Sequence, residues 1–181
     1  MICSIGNLRS NSIWEAGIAH QTGWTKPNAS DDRKRKEDFI KSKYQWKGFI
    51  EYSQEIKSDE ERQGKSSLDL YEAARQGDLL GIALALAKGG KVDWRNESDG
   101  GKTPLHICSQ CENYEHSIVE TEPAASTPRK NRILEFILCA ELLLQNGAKI
   151  GILDGNDHSV LDCAVCGNAP REIVEFLTYR S

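Results

Sequence analysis

A threefold internal repeat constrains this chain more than any other feature. Leu70-Tyr71-Glu72-Ala73-Ala74-Arg75-Gln76-Gly77-Asp78 leads into the apolar run 79–86 and then Lys88-Gly89-Gly90-Lys91-Val92-Asp93. The same order returns in Gly101-Lys102-Thr103-Pro104-Leu105-His106-Ile107-Cys108, followed after an interruption by residues 140–144 and Gln145-Asn146-Gly147-Ala148-Lys149-Ile150. A third copy runs from Asp157-His158-Ser159-Val160-Leu161-Asp162-Cys163-Ala164 through Gly167-Asn168 to Ile173-Val174-Glu175-Phe176-Leu177. Leu70, Leu105 and Leu161 are therefore equivalent, 35 and 56 residues apart. A unit of this size cannot bury its apolar faces alone and must stack on its neighbours. Each copy reads as two helices. Thr103 offers a cap, and Pro104 sits at the first helical position, where a missing N–H costs nothing. Leu70, Ala73, Ala74, Leu105, Cys108, Leu161 and Ala164 form a narrow face on the first helices. Leu84, Leu86 and Leu142-Leu143-Leu144 supply a broad face on the second. Gly77 and Gly167 are expected to end the first helices in a left-handed turn. Gly89-Gly90 and Gly147-Ala148 are expected to close the second helices before a projecting hairpin.

The first spacing lies close to the roughly 33-residue ankyrin period, and Thr103-Pro104-Leu105-His106 resembles that family's signature. The second is too long by about 23 residues. The excess falls at 112–132, which holds Pro123, Pro128 and a Glu-rich then Arg/Lys-rich tract, the composition of a loop inserted between two helices. Residues 67–181 thus resemble three ankyrin repeats: 67–98, 99–155 with the insertion, and a shortened 156–181. The resemblance implies that His106 steadies the hairpin by hydrogen bonds to nearby backbone. It also implies a protein-binding surface made of first helices and hairpin tips, among them Arg95, Asn96, Glu97, Asp99, Asp154 and Asn156. The third copy ends at Leu177 without a polar capping repeat, so an unsealed outer face and marginal stability or self-association are expected.

Ahead of the repeats, residues 53–66 hold a single apolar residue, Ile56. They read as a solvated linker, with a short exposed helix over 58–63 as the alternative. Residues 2–18 read as an amphipathic helix with Ile5, Leu8, Ile13 and Trp14 available for a core. After a loop around 22–27, Ser30-Asp31-Asp32 offers a cap and carboxylates suited to the positive end of a helix. That helix is expected to run to about Ile50 and to bury Phe39, Ile40, Lys43, Tyr44, Trp46 and Phe49.

The residues of this first part carry a second resemblance. Cys3-Ser4-Ile5-Gly6-Asn7, Asn11, Ser12-Ile13-Trp14-Glu15-Ala16, Lys26-Pro27, Arg33, Lys36-Glu37, Phe39-Ile40-Lys41, Lys43-Tyr44, Lys47 and Phe49 resemble the C-terminal half of an ArfGAP domain, here residues 1–52. With the repeats that follow, the chain is similar to the Arf GTPase-activating proteins with coiled-coil, ankyrin-repeat and PH domains, the ACAP or centaurin-β type. The implied fold is all-α: a helical half-domain followed by a solenoid of about three ankyrin repeats. Intact relatives would stimulate GTP hydrolysis by Arf GTPases at endosomal or plasma membranes. Their chemistry resides in a zinc finger with two CxxC pairs roughly 15–20 residues apart. An arginine close behind it is worth about 10³–10⁵ in rate. The sequence in hand lies downstream of both. The expectation is therefore no catalytic, metal-binding or cofactor-binding residue, zinc only in intact family members, and a chain that binds protein without accelerating hydrolysis. A self-standing ankyrin adaptor is the alternative.

Composition narrows the remaining readings. Twenty-three Lys and Arg against 27 Asp and Glu leave a net charge of −4, which argues against a dedicated nucleic-acid binder. No stretch approaches the roughly 18 apolar residues of a transmembrane helix, so any membrane contact is expected to be peripheral. Six cysteines without a secretory start read as thiols of a cytoplasmic protein. Cys108-x-x-Cys111 and Cys163-x-x-Cys166 invite a zinc reading, but 51 residues separate them and the repeat register puts both on first helices. Packing is the better expectation, as it is for Cys3 and Cys139. His20, His116 and His158 fall in loops or at a repeat start, without evident partners. Arg33-Lys34-Arg35-Lys36 reads as a solvated helix face, with anionic lipid as the functional alternative. Ser126-Thr127-Pro128-Arg129 reads as part of a tolerated surface insertion rather than a phosphorylated regulatory loop.

Overall fold

The computed structural model describes residues 6–52, 58–111 and 129–181. It contains two compact units, Met1–Arg62 and Gln63–Ser181. Among the described residues there are eight α-helices and no strand, apart from one isolated bridge between Asn96 and Lys102.

The first unit is built from α1 (Asn7–Trp14), a 3-10 turn at Ile18–His20, α2 (Arg33–Ile40) and a π-helical segment Lys41–Gln45. Asp32 caps α2, its carboxylate accepting from the Arg35 N–H at 2.7 Å. Ile13, Phe39, Phe49 and Ile50 are buried. The Phe49 ring lies 5.2 Å from Phe39 and 5.3 Å from Trp24, at aromatic packing distances. Two hydrogen bonds pin the end of this core to the loop after α1: Gly17 N–H to the Phe49 carbonyl at 2.8 Å, and the Gln21 amide to the Gly48 carbonyl.

Here the structure departs from the sequence reading. The first helix spans eight residues and leaves Leu8 87% exposed; Ile5 and Cys3 lie outside the described residues. The second helix ends its α portion at Ile40 and its π portion at Gln45, short of Ile50. Of the six side chains expected inside, Phe39, Lys43 and Phe49 are buried, whereas Ile40, Tyr44 and Trp46 are exposed. Those six would cover most of a helix circumference, and an eight-residue partner helix shields only one side.

The second unit, from Gln63, holds all but the first four residues of α3 (Asp59–Gln76), and α4 (Leu79–Ala87), α5 (Pro104–Gln110), α6 (Arg129–Gln145), α7 (Val160–Cys166) and α8 (Arg171–Arg180). The second helices pack in series, α4 on α6 and α6 on α8, while α5 packs on α7 and each of α5 and α7 on the helix that follows it. Leu70, Ala74, Leu105, Ile107, Cys108, Phe136, Leu143, Ala164 and Leu177 belong to one continuous core. The second helices stop alike. Gly89 and Gly147 adopt φ of 93° and 94°. Behind them the N–H groups of Gly90 and Ala148 reach back five residues to the carbonyls of Ala85 and Leu143, a Schellman closure. At the end of α3, Gly77 has φ 68°, and a Cβ there would meet the Phe136 ring at 3.2 Å, so the site needs glycine on two counts. The corresponding end of α7 is turned by Asn168, φ 51°, and not by Gly167, φ −79°. Asparagine enters that conformation more readily than other L residues because its short polar side chain bonds locally.

Three further expectations shift. Residues 59–66, read as linker, are the first turns of α3, in which Ser66 is buried; residues 53–57 lie outside the described residues. The insertion read at 112–132 gives way to helix at Arg129, because α6 begins there, and residues 112–128, His116 and the Ser126-Thr127-Pro128 motif included, are outside the described residues. α8 continues past Leu177 to Arg180 and turns Arg171, Glu172, Glu175 and Thr178 outward. Its exposed side is thus largely polar, with Tyr179 the exposed apolar exception.

Candidate protein-interaction surface

The hairpin between α4 and α5 is organised around Asp99. Tyr71 and Arg75, one turn apart on α3, reach it together: the Tyr71 hydroxyl donates to Oδ2 at 2.7 Å and the Arg75 guanidinium at 3.0 Å. Lys102 Nζ donates to the other carboxylate oxygen at 3.1 Å and lies 3.4 Å from Gln110 Oε1. Trp94 meets the Tyr71 ring edge-on at 6.0 Å. Burial alone would raise the Asp99 carboxyl. Hydrogen bonds from Tyr71 and Lys102, with the charges of Lys102 and Arg75, outweigh it and hold that carboxyl below its ordinary value. Burial and the same carboxylate push the Tyr71 phenol well up. Tyr71, Arg75, Lys102 and Gln110 were not singled out as site residues. The sequence signal for them is the helical spacing of 71 with 75; 99 and 102 lie across the Gly100-Gly101 turn.

Neighbouring hairpins are tied edge to edge. Gly155 N–H donates to the Gly100 carbonyl at 2.7 Å, the Lys149 N–H to Asp93 at 3.1 Å, and the Arg95 guanidinium to the Leu153 carbonyl at 2.7 Å. Asn96 pairs with Lys102 through backbone and accepts from Ser98 N–H at its side chain. Asp154, placed among the tips by the sequence reading, is 4% exposed. Its Oδ1 accepts from the N–H groups of Asn156 at 2.8 Å and His158 at 2.9 Å, so it shapes the loop from within. Arg95, Glu97 and Asn156 remain exposed, and Asn96 and Asp99 are half-buried.

Thr103, Pro104, Leu105 and His106 are all buried. The His106 ring turns back on the start of α5. Nδ1 accepts from the Thr103 N–H at 3.2 Å and lies 2.8 Å from the Thr103 hydroxyl, while Nε2 lies 3.3 Å from the His158 carbonyl. That arrangement suits a neutral ring with its proton on Nε2. Burial lowers its pKa, in keeping with that form. Ser159 and Asp162 make the equivalent capping box at α7, with 2.9 and 3.2 Å backbone bonds. The two remaining described histidines have neighbours the sequence did not reveal: His158 Nδ1 is 3.6 Å from Asp154, and His20 Nε2 is 4.0 Å from Glu51.

Among the described residues no three His, Cys, Asp or Glu side chains are arranged to hold a metal ion. Cys108, Cys111, Cys139 and Cys163 are buried free thiols and Cys166 is exposed. Cys108 Sγ points to the Phe136 carbonyl at 3.6 Å, and Cys163 Sγ to Asp154 at 3.8 Å. Burial pushes the Cys111 and Cys139 thiols up to about 12, which makes them poor nucleophiles near neutrality.

In the first unit the residues that carry the ArfGAP resemblance meet in space. Lys43, 5% exposed, donates to Asn11 Oδ1 at 2.6 Å and to Glu15 Oε1 at 2.7 Å, and Lys26 reaches Glu15 Oε2 at 3.1 Å. Burial opposes the charge on Glu15, but hydrogen bonds from Lys43 and Lys26 keep its carboxyl below the ordinary range. The basic run is largely occupied at home: Arg33 with Glu37 at 2.6 Å, Arg35 with Thr25 at 2.6 Å and Asp31 at 3.5 Å, Lys36 with the Ala29 carbonyl at 2.6 Å. Lys34 lines an open cleft of about 410 Å³ with Trp24, Thr25, Asp32 and Asp38. Among the described residues no helix is long and apolar enough to cross a membrane.

No family model matches the chain. Over 169 residues it is 26% identical to the protein of Mus musculus named ARF GTPase-activating protein GIT2, covering 91% of this chain and 20% of that protein. The Homo sapiens protein of the same name gives 26% over 170 residues, 91% of this chain and 19% of the relative. The chain therefore spans about a fifth of the length of these relatives. It is distantly similar, along nearly its whole length, to an Arf GTPase-activating protein.

Proposed function

We propose that this chain is a segment of an ankyrin-bearing Arf GTPase-activating protein, with the C-terminal half of an ArfGAP domain up to about residue 52 and ankyrin repeats over 67–181. Within that group the reading is the ACAP type, on the ground that the repeats follow directly on the ArfGAP-like residues. The carrying observation is the similarity to an Arf GTPase-activating protein over 91% of the chain. Two structural facts support it: the polar cluster of Asn11, Glu15, Lys26 and Lys43 is made from residues of the ArfGAP resemblance, and the helix pairs after α3 stack in series through their second helices.

On this reading the segment recognises and does not accelerate. The 181 residues hold no pair of CxxC motifs at finger spacing, and the arginine that stabilises charge during hydrolysis belongs beside such a finger. The partner of the intact protein is an Arf-family GTPase. The repeats offer a second protein a surface built from the α4–α5 and α6–α7 hairpins, where Arg95, Glu97 and Asn156 face solvent. The test is single-turnover hydrolysis of GTP on an Arf GTPase with and without the purified chain. The intrinsic rate is expected in both; a measurable acceleration overturns the proposal. Reading the codons 5′ of Met1 separates it from a self-standing adaptor, since the ArfGAP reading requires two CxxC pairs there.

A further inference from the structure

Residues 33–47 hold seven Lys and Arg against two acids, in a chain whose net charge is −4. The same segment contains the three apolar side chains that leave the core, Ile40 at 55%, Tyr44 at 43% and Trp46 at 64% exposure. Helical geometry relates Ile40 and Tyr44, while Trp46 caps the end of the π segment. With Phe39 turned inward, Lys34, Lys41, Ile40 and Tyr44 fall on the side of α2 and its π extension away from it, Lys34 and Lys41 two turns apart on one stripe. Tyr44 is braced there by Trp14, ring centroids 5.3 Å apart. Arg33 on this face is neutralised by Glu37, and Arg35 and Lys36 are held by Asp31, Thr25 and the Ala29 carbonyl. The side-chain ammonium groups of Lys34, Lys41 and Lys47, by contrast, have no ionic or hydrogen-bond partner among the described residues. Asp38 borders the cleft beside Lys34, and Asp32 is spent on the cap of α2.

We propose that this face, together with the Trp46-Lys47 turn that follows it, docks on an anionic lipid bilayer, with Tyr44 and Trp46 seated among the headgroups, Ile40 below them, and Lys34, Lys41 and Lys47 against lipid phosphates and carboxylates. Tyrosine and tryptophan favour that depth because each joins an apolar ring to a polar edge. Lysine buries its stem and keeps its ammonium at the surface. Charge complementarity selects the bilayer over another apolar partner: a hydrophobic protein groove would leave three lysines unpaired, whereas an anionic leaflet rewards each by about fivefold in binding. This inference does not depend on the ArfGAP reading.

The experiment is sedimentation of the whole chain with phosphatidylcholine vesicles carrying or lacking about one third phosphatidylserine, with tryptophan quenching by brominated lipid alongside. Binding is expected only with phosphatidylserine and should weaken as salt rises. Lys41→Glu and Lys34→Glu, both on exposed positions, should each lower it at least fivefold. Trp46→Ala should remove most of the lipid quenching while far-UV circular dichroism stays unchanged. Equal binding to both vesicles, no binding at all, or binding indifferent to Trp46→Ala and Lys41→Glu overturns the proposal. So does a concentration-dependent dimer that Trp46→Ala dissolves, since the face would then pair with a second copy.

Discussion

The first unit buries a lysine and leaves a tryptophan in water; the second buries every residue of α5 from Pro104 to Ser109, a histidine included. Both bury polar groups, but for different ends. In the first unit Lys43 joins α1 to the π segment that extends α2 through Asn11 and Glu15, 32 and 28 residues away. In the second, the polar contacts of His106 and Asp154 lie mostly within four residues and shape one turn at a time. A long-range ion pair makes a small unit depend on one contact. A repeated local one spreads the load over several copies.

The largest expected effect tests that dependence. Lys43→Ala takes one of two cations from half-buried Glu15, leaving Lys26 at 3.1 Å, and should cost about 3 kcal/mol, the low end for a broken buried pair. The loss should show in tryptophan fluorescence during urea unfolding, because Trp14, Trp24 and Trp46 lie in the first unit and only Trp94 in the second. Lys43→Met, which fills the space without the charge, should lose less. Equal stability of the Ala variant would show that the first unit does not rely on this pair. Next in size is Tyr71→Phe, which removes one of three donors to Asp99 and should cost about 2 kcal/mol by thermal unfolding. A shift confined to fluorescence of the first unit would contradict the placement of that network.

The smallest effect is one of pH. Burial holds the folded-state pKa of His106 below its ordinary value. The unfolded chain therefore binds this proton first, and stability is greatest above the unfolded pKa and falls as pH drops toward the folded one. His106→Gln keeps a capping acceptor and should flatten that slope below the ordinary histidine value of 6.5, by at most about one proton. Asp99 and Glu15, whose pKa values are lowered, act with the same sign at more acid pH: their contribution is lost as pH falls through their folded values.

Much of the second unit was legible because its signals are local. Pro104 at a helix start, glycines at 89 and 147 after one, and the apolar positions 70, 105 and 143 each act within a few residues. What escaped was nonlocal. Nothing near Asp99 in sequence announces Tyr71 and Arg75, and Asp154 reads as an exposed acid until its backbone donors are seen. Arg95 and Glu97 of the candidate surface could be placed on a tip, but not the ties that set neighbouring tips side by side.

The sequence by itself determined that this chain is helical and where the helix pairs recur, since capping, periodicity and turn chemistry are settled between near neighbours. Only the tertiary structure decided which of Ile40, Lys43, Tyr44, Trp46 and Phe49 go inside. That choice depends on what opposing surface is available to cover each face, and on whether a buried ammonium finds a carboxylate, neither of which a single helix contains.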